Sequence, residues 1–371
     1  MKKTLWIVGI IIVLLIIVAA ASRSPKEASG EPIKIGVIAP LTGARADAGE
    51  YIRNALVLAQ EDIEKSSRRN SFEFVVEDSK YEAPTAISAY RKLVDFDGVK
   101  YIVGPYGSSE VMAVGPVAEE AKVVLLLPGA QSDEISALGD YIFRIIHHSA
   151  QEAPVFAKFI AEKMKGDTLH FLLLNTAITE PYLKVFTPAF ENSGKKIGFT
   201  EKYDVTTTDF RAGLLKIKNL EPSDIFLIAT PKHAALILEQ ARELGITAQF
   251  YNIGVEGPEL LTTPNGAAEG LLYPYSYDNR SDEKTISTFN NAYLSRFGTV
   301  PDTVAANAYD AAMLLVKCIN RVGDDVTRVK DCLYETKEYA GASGTFSIDE
   351  NGDAIKTIII KTIKNSQFVA I

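Results

Sequence analysis

The chain has little of what enzymes and nucleic-acid binders carry. No phosphate loop, dinucleotide fingerprint or HExxH zinc motif occurs in its 371 residues. Gly341-Ala342-Ser343-Gly344 stops short of a nucleophile elbow, because Thr345 stands where the last glycine is needed. Histidine is sparse, at four residues. His147 and His148 are adjacent, so on an extended strand they point to opposite faces and share no metal. His170 leads an apolar run and reads as a packed residue. These absences argue for a non-enzymatic protein without cofactor or metal. Positive charge is not in excess: 39 Lys and Arg stand against 47 Asp and Glu, a net charge of −8, which argues against nucleic acid as a partner. Asp349-Glu350-Asn351-Gly352-Asp353 has its glycine misplaced for a calcium loop and reads as a turn.

Long apolar runs are confined to the start. Lys2 and Lys3 precede Leu5–Ala21, which carries no charge, and a polar linker follows. This is the order of a secretory signal peptide, with Ala19-Ala20-Ala21 as a cleavage site. The run also reaches the lower limit of a membrane-spanning helix, so an uncleaved anchor through residues 5–21 is the second reading. No cysteine follows it, which excludes a lipid-modified anchor there. On either reading the remaining chain lies outside the cytoplasmic membrane, in the periplasm or at the cell surface. The only two cysteines are Cys318 and Cys332. In an exported chain, two helices turning at Asp324-Asp325 would bring them together. A disulfide is therefore expected, worth about 2–4 kcal/mol.

What is present is a repeated grammar of strands and helices. The stretch Val99–Ser132 holds two short apolar runs, Tyr101–Val103 and Val123–Leu127. Each runs into a loop of small residues, Gly104–Ser109 and Pro128–Ser132, with a helix over Ser109–Glu120 between them. This is a parallel crossover unit, and ligands of such sheets bind beyond the strands' carboxyl ends. Strands are also expected at Ile33–Ile38, Phe72–Val76 and Tyr141–Ile146, with intervening helices ending near Glu64 and Asp95. The pattern restarts at Ala150. Strands are read at Leu169–Leu174, Phe199–Val205, Ile225–Ala229, Phe250–Ile253 and Gly270–Tyr273, and Asp209 is read as the N-cap of a helix. Three helices follow, Asp282–Phe297, Val304–Arg321 and Val326–Thr336. Then come strands at Gly344–Ile348 and Ile355–Ile363 around an Asn351-Gly352 turn, and a last one at Phe368–Ile371. The fold class is α/β: two doubly wound lobes joined by a hinge of several crossings, near His147, Tyr275 and Thr345. Residues 32–147 with 278–344 are assigned to the first lobe and 148–277 with 345–371 to the second. Residues 1–31 form the leader and linker.

Seven segments in this order resemble the type I periplasmic binding proteins, specifically the leucine/isoleucine/valine-binding branch. They are IKIGVIAPLTG (33–43), YIVGPYGSS (101–109), VVLLLPGAQS (123–132), the segment from Asp209, EQARELGITAQFYNIG (239–254) with Glu256, EGLLYPYSYD (269–278) and GASGTFSIDENGD (341–353). The resemblance implies a solute receptor of an ABC importer whose partners are a small amino-acid-like ligand and membrane permease subunits. It implies that the first lobe grips the ligand carboxylate through Ser108, Gly129, Ala130 and Gln131. Glu256 of the second lobe would take the ammonium, with Thr230 and either Tyr182 or Glu180 completing the pocket. Ion pairs and hydrogen-bond donors are what a buried zwitterion requires. The sequence departs from the family pattern at Ala48, where a tyrosine is common, at Gln131, where the family has threonine, and at Thr230, an aromatic position.

The expected ligand is an amino acid, preferably branched-chain or otherwise aliphatic. An amide, a urea or an aromatic acid on the same fold is the alternative, to which Gln131 would lend an amide partner. A membrane-anchored ligand sensor is a further one.

Overall fold

The structure, a computed structural model, describes residues 31–66, 70–176, 178–254 and 256–371. The apolar run Leu5–Ala21, and with it the choice between signal peptide and anchor, lies outside the described residues. Among the described residues no helix is long and apolar enough to cross a membrane.

The first sheet is built from β1 (Ile33–Ala39), β2 (Phe72–Asp78), β3 (Tyr101–Val103), β4 (Val124–Leu127) and β5 (Ile142–Arg144). Its order is β2-β1-β3-β4-β5, all parallel. The central strands β3 and β4 are continuous apolar runs because both faces are covered. Leu125 and Leu127 pack toward α2 (Ala83–Arg91) and α3 (Ser108–Ala121). Val124 and Leu126 pack the other way, toward α1 (Ala46–Ser66) and a long helix described below.

The second half begins with α4 (Ser149–Lys163) and runs through β6 (Thr168–Leu174), α5 (Thr179–Glu191), β7 (Lys196–Tyr203), α6 (Arg211–Lys218) and β8 (Asp224–Ile228). It continues with α7 (Pro231–Glu243), β9 (Gln249–Asn252), the single turn α8 (Pro258–Leu261) and β10 (Leu272–Tyr275). The parallel strands lie in the order β7-β6-β8-β9-β10, the winding of the first sheet repeated. In both sheets the order reverses beside the first strand, which opens a crevice at the strand tips.

Several elements are shifted from the sequence reading; the strand expected at Phe199–Val205, for instance, runs Lys196–Tyr203. Phe210, not Asp209, is the cap residue of α6, while the Asp209 carboxylate accepts the Arg211 amide at 3.1 Å. The strand expected at Gly270–Tyr273 begins at Leu272 and reaches Tyr275.

After β10 the chain returns to the first sheet as α9 (Lys284–Phe297), α10 (Thr303–Val322) and α11 (Val326–Tyr334). α10 packs along α1, and Cys318 and Cys332 join α10 to α11 in a disulfide. The stretch Ile355–Ile363 corrects the single strand read from sequence. It divides into β13 (Ala354–Lys356) and β14 (Ile359–Ile363), which belong to different sheets. β13 pairs antiparallel with β12 (Gly344–Ile348), itself paired with β11 (Tyr339–Gly341). β14 joins the second sheet antiparallel to β10, and β15 (Phe368–Ala370) adds the edge. The hairpin around Asn351-Gly352 therefore stays with the first half. The third crossing lies between Lys356 and Ile359 rather than near Thr345, so the lobe limits at 344 and 345 are displaced.

Buried polar bonds fasten this small sheet to the first lobe. The Arg144 side chain, fully buried, donates to Asp353 Oδ1 at 2.8 Å, to Ser136 Oγ at 2.8 Å and to Ser132 O at 2.7 Å. It thereby ties β5, the loop after β4 and the end of the hairpin into one unit. Asp353→Ala leaves the guanidinium without its counter-charge and is expected to lower unfolding stability by about 3–5 kcal/mol. Chemical denaturation tests this; a loss under about 1 kcal/mol, the range of exposed pairs, would show that the pair does not hold the sheet.

Candidate functional site

The wall offered by the first lobe is made by the loops after β1, β3 and β4. Gly104 stands at φ +106°, and a Cβ there would come within 2.2 Å of Ile38 O, so the loop after β3 turns only with glycine. Gly107 caps α3, and its amide donates to the buried Glu110 carboxylate at 2.7 Å. Burial pushes the Glu110 carboxyl up. Ser108 opens α3, and its hydroxyl accepts the Ser132 amide at 3.2 Å, which fastens one loop to the other. Arg144 holds Ser132 from the opposite side.

Between these ties, no described residue accepts a hydrogen bond from the amides of Gly129, Ala130 or Gln131, and the half-buried Gln131 side chain bonds none. Gly129 lies under the Tyr106 ring, which a Cβ would approach to 2.3 Å. The Arg45 guanidinium lies 5.1 Å from the centre of that ring. Ser108, Gly129, Ala130 and Gln131 are thus brought together on one wall with unspent donors. Such donors, with the amino end of a helix behind them, suit an anion.

Asp302 adds an acid to this wall. It caps α10, its Oδ1 accepting the Ala305 amide at 2.9 Å. Burial pushes its carboxyl up to about 7, against the pull of the Ala305 and Val304 amides and the Arg45 charge.

Glu256 comes from the loop after β9 and belongs to the opposite wall. The link between the walls is the crossing segment after β10. Burial holds the Tyr275 hydroxyl well above its ordinary range, reinforced by Glu256 from one lobe and Asp302 and Tyr106 from the other. Tyr275, the last residue of β10, thus stands between Glu256 of the second lobe and Asp302 and Tyr106 of the first. The crossing is braced by His147, whose Nδ1 lies 2.7 Å from Ser276 Oγ and whose Nε2 lies 2.7 Å from the buried Glu152 carboxylate.

Glu256 is already engaged. Lys361 Nζ lies 2.6 Å from its Oε1, and the Tyr273 hydroxyl donates to the same oxygen at 2.7 Å. Lys361 was not singled out in the sequence, although a lysine inside the apolar run IIIKTI is a signal in itself. Asp302, Arg45 and Tyr275 were missed as well. Each precedes or ends an element, where polar residues are common and carry little signal.

Two expected site residues are placed elsewhere. Tyr182 is buried in the second lobe's core, stacked between Phe186 and Phe226 with centroids at 5.9 and 6.1 Å. Glu180, its alternative, points to solvent and pairs with Lys202. Thr230 is exposed and serves as the cap of α7, its hydroxyl accepting the His233 amide and lying 2.6 Å from His233 Nδ1. A surface cavity of about 310 Å³ against α1, α9 and α10 shares no residue with the crevice.

With this geometry in view, the chain can be set beside known proteins. The sequence profile of the periplasmic binding protein family matches residues 32–367. The leucine-, isoleucine-, valine-, threonine- and alanine-binding protein of Pseudomonas aeruginosa is 27% identical, over 88% of this chain and 88% of its own. The leucine-binding protein LivK of Thermotoga maritima superposes with a TM-score of 0.81 at 26% identity, covering 91% of this chain and 97% of its own. A solute-binding protein of an ABC transporter from Rhodopseudomonas palustris, solved with 3,4-dihydroxybenzoic acid, shares the fold with a TM-score of 0.79 at 22% identity, covering 90% of this chain and 94% of its own. These relatives are binding proteins, not enzymes, and the family whose profile matches is the periplasmic one. The chain belongs to the periplasmic binding proteins, as a type I member of the leucine/isoleucine/valine-binding kind and a solute-binding protein of ABC transporters.

Proposed function

We propose that the chain captures a small carboxylic acid in the crevice between its lobes and hands it to the permease subunits of an ABC importer. The observation that carries this reading is the set of unspent amides at Gly129, Ala130 and Gln131, beside the Ser108 hydroxyl. A carboxylate arriving there accepts several bonds at once and lies at the amino end of α3. Closure follows from contacts that both lobes make only when shut, with the three crossing segments as the hinge.

The relatives' names favour a branched-chain amino acid. A carboxylic acid without an ammonium is the second reading, favoured by the hold that Lys361 has on Glu256.

Calorimetry over a panel of small acids tests the proposal. Ser108→Ala is expected to weaken whichever acid binds by about 10- to 100-fold, the range for a hydrogen bond to a charged group. An unchanged affinity would remove the first-lobe wall from the site.

The pH dependence has a definite sign. Asp302 ordinarily titrates at 3.8 and is raised to about 7 in the fold, with Arg45, Asp47 and the hydroxyls of Tyr51, Tyr106, Tyr275 and Tyr277 around it. Between those values the fold holds a proton that the unfolded chain has released. This share of stability is full below about 3.8 and is lost as pH rises through about 7. A carboxylate ligand meets a neutral Asp302 only on the acid side. Affinity is therefore expected to fall about tenfold from about pH 6 to about pH 8, and Asp302→Asn is expected to flatten the profile. A flat profile in the unaltered protein would contradict this.

A further inference from the structure

We propose that Lys361 is a built-in ammonium that fills the place opposite Glu256, so that the crevice selects carboxylic acids carrying no α-ammonium. This rests on reading the crevice as an acid-binding site. It deepens that reading by naming the class of acid.

The surroundings of Lys361 are those an amino-acid ammonium would need. Lys361 stands on β14 opposite Tyr273 of β10 and is fully buried. Its ammonium is 2.6 Å from Glu256 Oε1, and the Glu256 side chain is 16% exposed. It lies 5.3 Å from the centre of the Tyr275 ring, within the range of a cation on an aromatic face. It also donates to the Tyr277 carbonyl at 3.4 Å. A carboxylate, an aromatic face and a carbonyl thus already surround one cation. Tyr273 donates to the same Glu256 oxygen at 2.7 Å.

The charges decide the consequence. Lys361 and Glu256 cancel, so the second lobe presents a neutral pair where a lone acid would present a negative charge. A ligand ammonium brought here would lose its water against that neutral pair, beside a cation of its own sign. Neither loss is repaid as it would be by a free carboxylate. The first-lobe wall is unaffected, because its donors are amides and hydroxyls that bind a carboxylate whether or not an amino group follows. An acid lacking the amino group therefore keeps the favourable half of the interaction and avoids the unfavourable half. The second Glu256 oxygen bonds no described residue; an ammonium reaching it is the competing outcome, and the measurement separates the two.

The test compares acids that differ only in the amino group. Calorimetry on the purified protein would set leucine against 4-methylpentanoate, and phenylalanine against 3-phenylpropanoate. The expected result is that in at least one pair the acid without the amino group binds ten times more tightly or better. Lys361→Gln, or Lys361→Met if the first variant does not fold, leaves the Glu256 carboxylate without its counter-charge, held only by the Tyr273 hydroxyl. Either is expected to reverse the order and raise affinity for the amino acid at least tenfold. Equal or tighter binding of the amino acid by the unaltered protein overturns the inference while leaving the acid-binding reading intact. Binding of neither member of either pair overturns both.

Discussion

The segment from Asp353 to Lys361 carries three ionisable side chains into buried ground, and each finds polar partners there. Burying a lone charge costs more than the fold's whole margin, so the partners are a condition of folding rather than an ornament. Asp353 meets Arg144 of the first lobe. Lys356 meets Asn307 Oδ1 at 2.7 Å and Ser343 Oγ at 2.6 Å, with Asp310 beyond the serine. Lys361 meets Glu256 of the second lobe. One short segment is therefore fastened by charge to both halves, and between its second and third charges it crosses from one sheet to the other. Arg144 extends the same lock to the loop after β4, which carries Gly129, Ala130 and Gln131. The loop after β4 and the two strands that flank the last crossing are each held by buried polar contacts.

The two sheets explain why a site arises at this place. Both wind in the same order, so each opens its strand tips beside its own first strand, and the crossings turn these openings toward each other. Helix-start amides on one side and an acidic loop on the other then need no special device to meet. What distinguishes this chain is the sign of the second wall. Glu256 reads as an ammonium receptor by position, yet its charge is spent on a lysine from a strand more than a hundred residues later in the sequence. Asp302 enters on the first lobe's side, where burial raises its carboxyl to about 7, so that it ionises only in part near neutral pH. On the proposed reading, the charge these two acids present to a ligand is reduced by Lys361 and by the burial of Asp302, which would suit an anion.

Much of this was legible in the chain. Strands buried on both faces are continuous apolar runs, and their boundaries fall where glycine, proline and small polar residues begin. Cys318 and Cys332 could be paired because the turn at Asp324-Asp325 places two helices side by side. The loops that carry Ser108, Gly129, Ala130 and Gln131 were legible because they follow two such strands. The stretch Ile355–Ile363 was not, since a change of sheet within one apolar run leaves no mark in composition; only its lysines signal it. Tyr182 was open to a better reading. Tyr182, Phe186 and Phe190 recur at four-residue spacing, which is the stripe of a core-facing helix. Thr230 precedes Pro231 at the start of a helix, a cap signature that outweighs its position near the crevice. The state of Glu256 depended on a partner distant in sequence, and no local pattern discloses such a pair.

A crystal structure of the protein with its tightest-binding acid tests the central claim most directly. The ligand carboxylate is expected within hydrogen-bond distance of the amides of Gly129, Ala130 and Gln131, with Lys361 still paired to Glu256. A ligand whose carboxylate lies away from that wall, or whose ammonium has displaced Lys361 from Glu256, would contradict it.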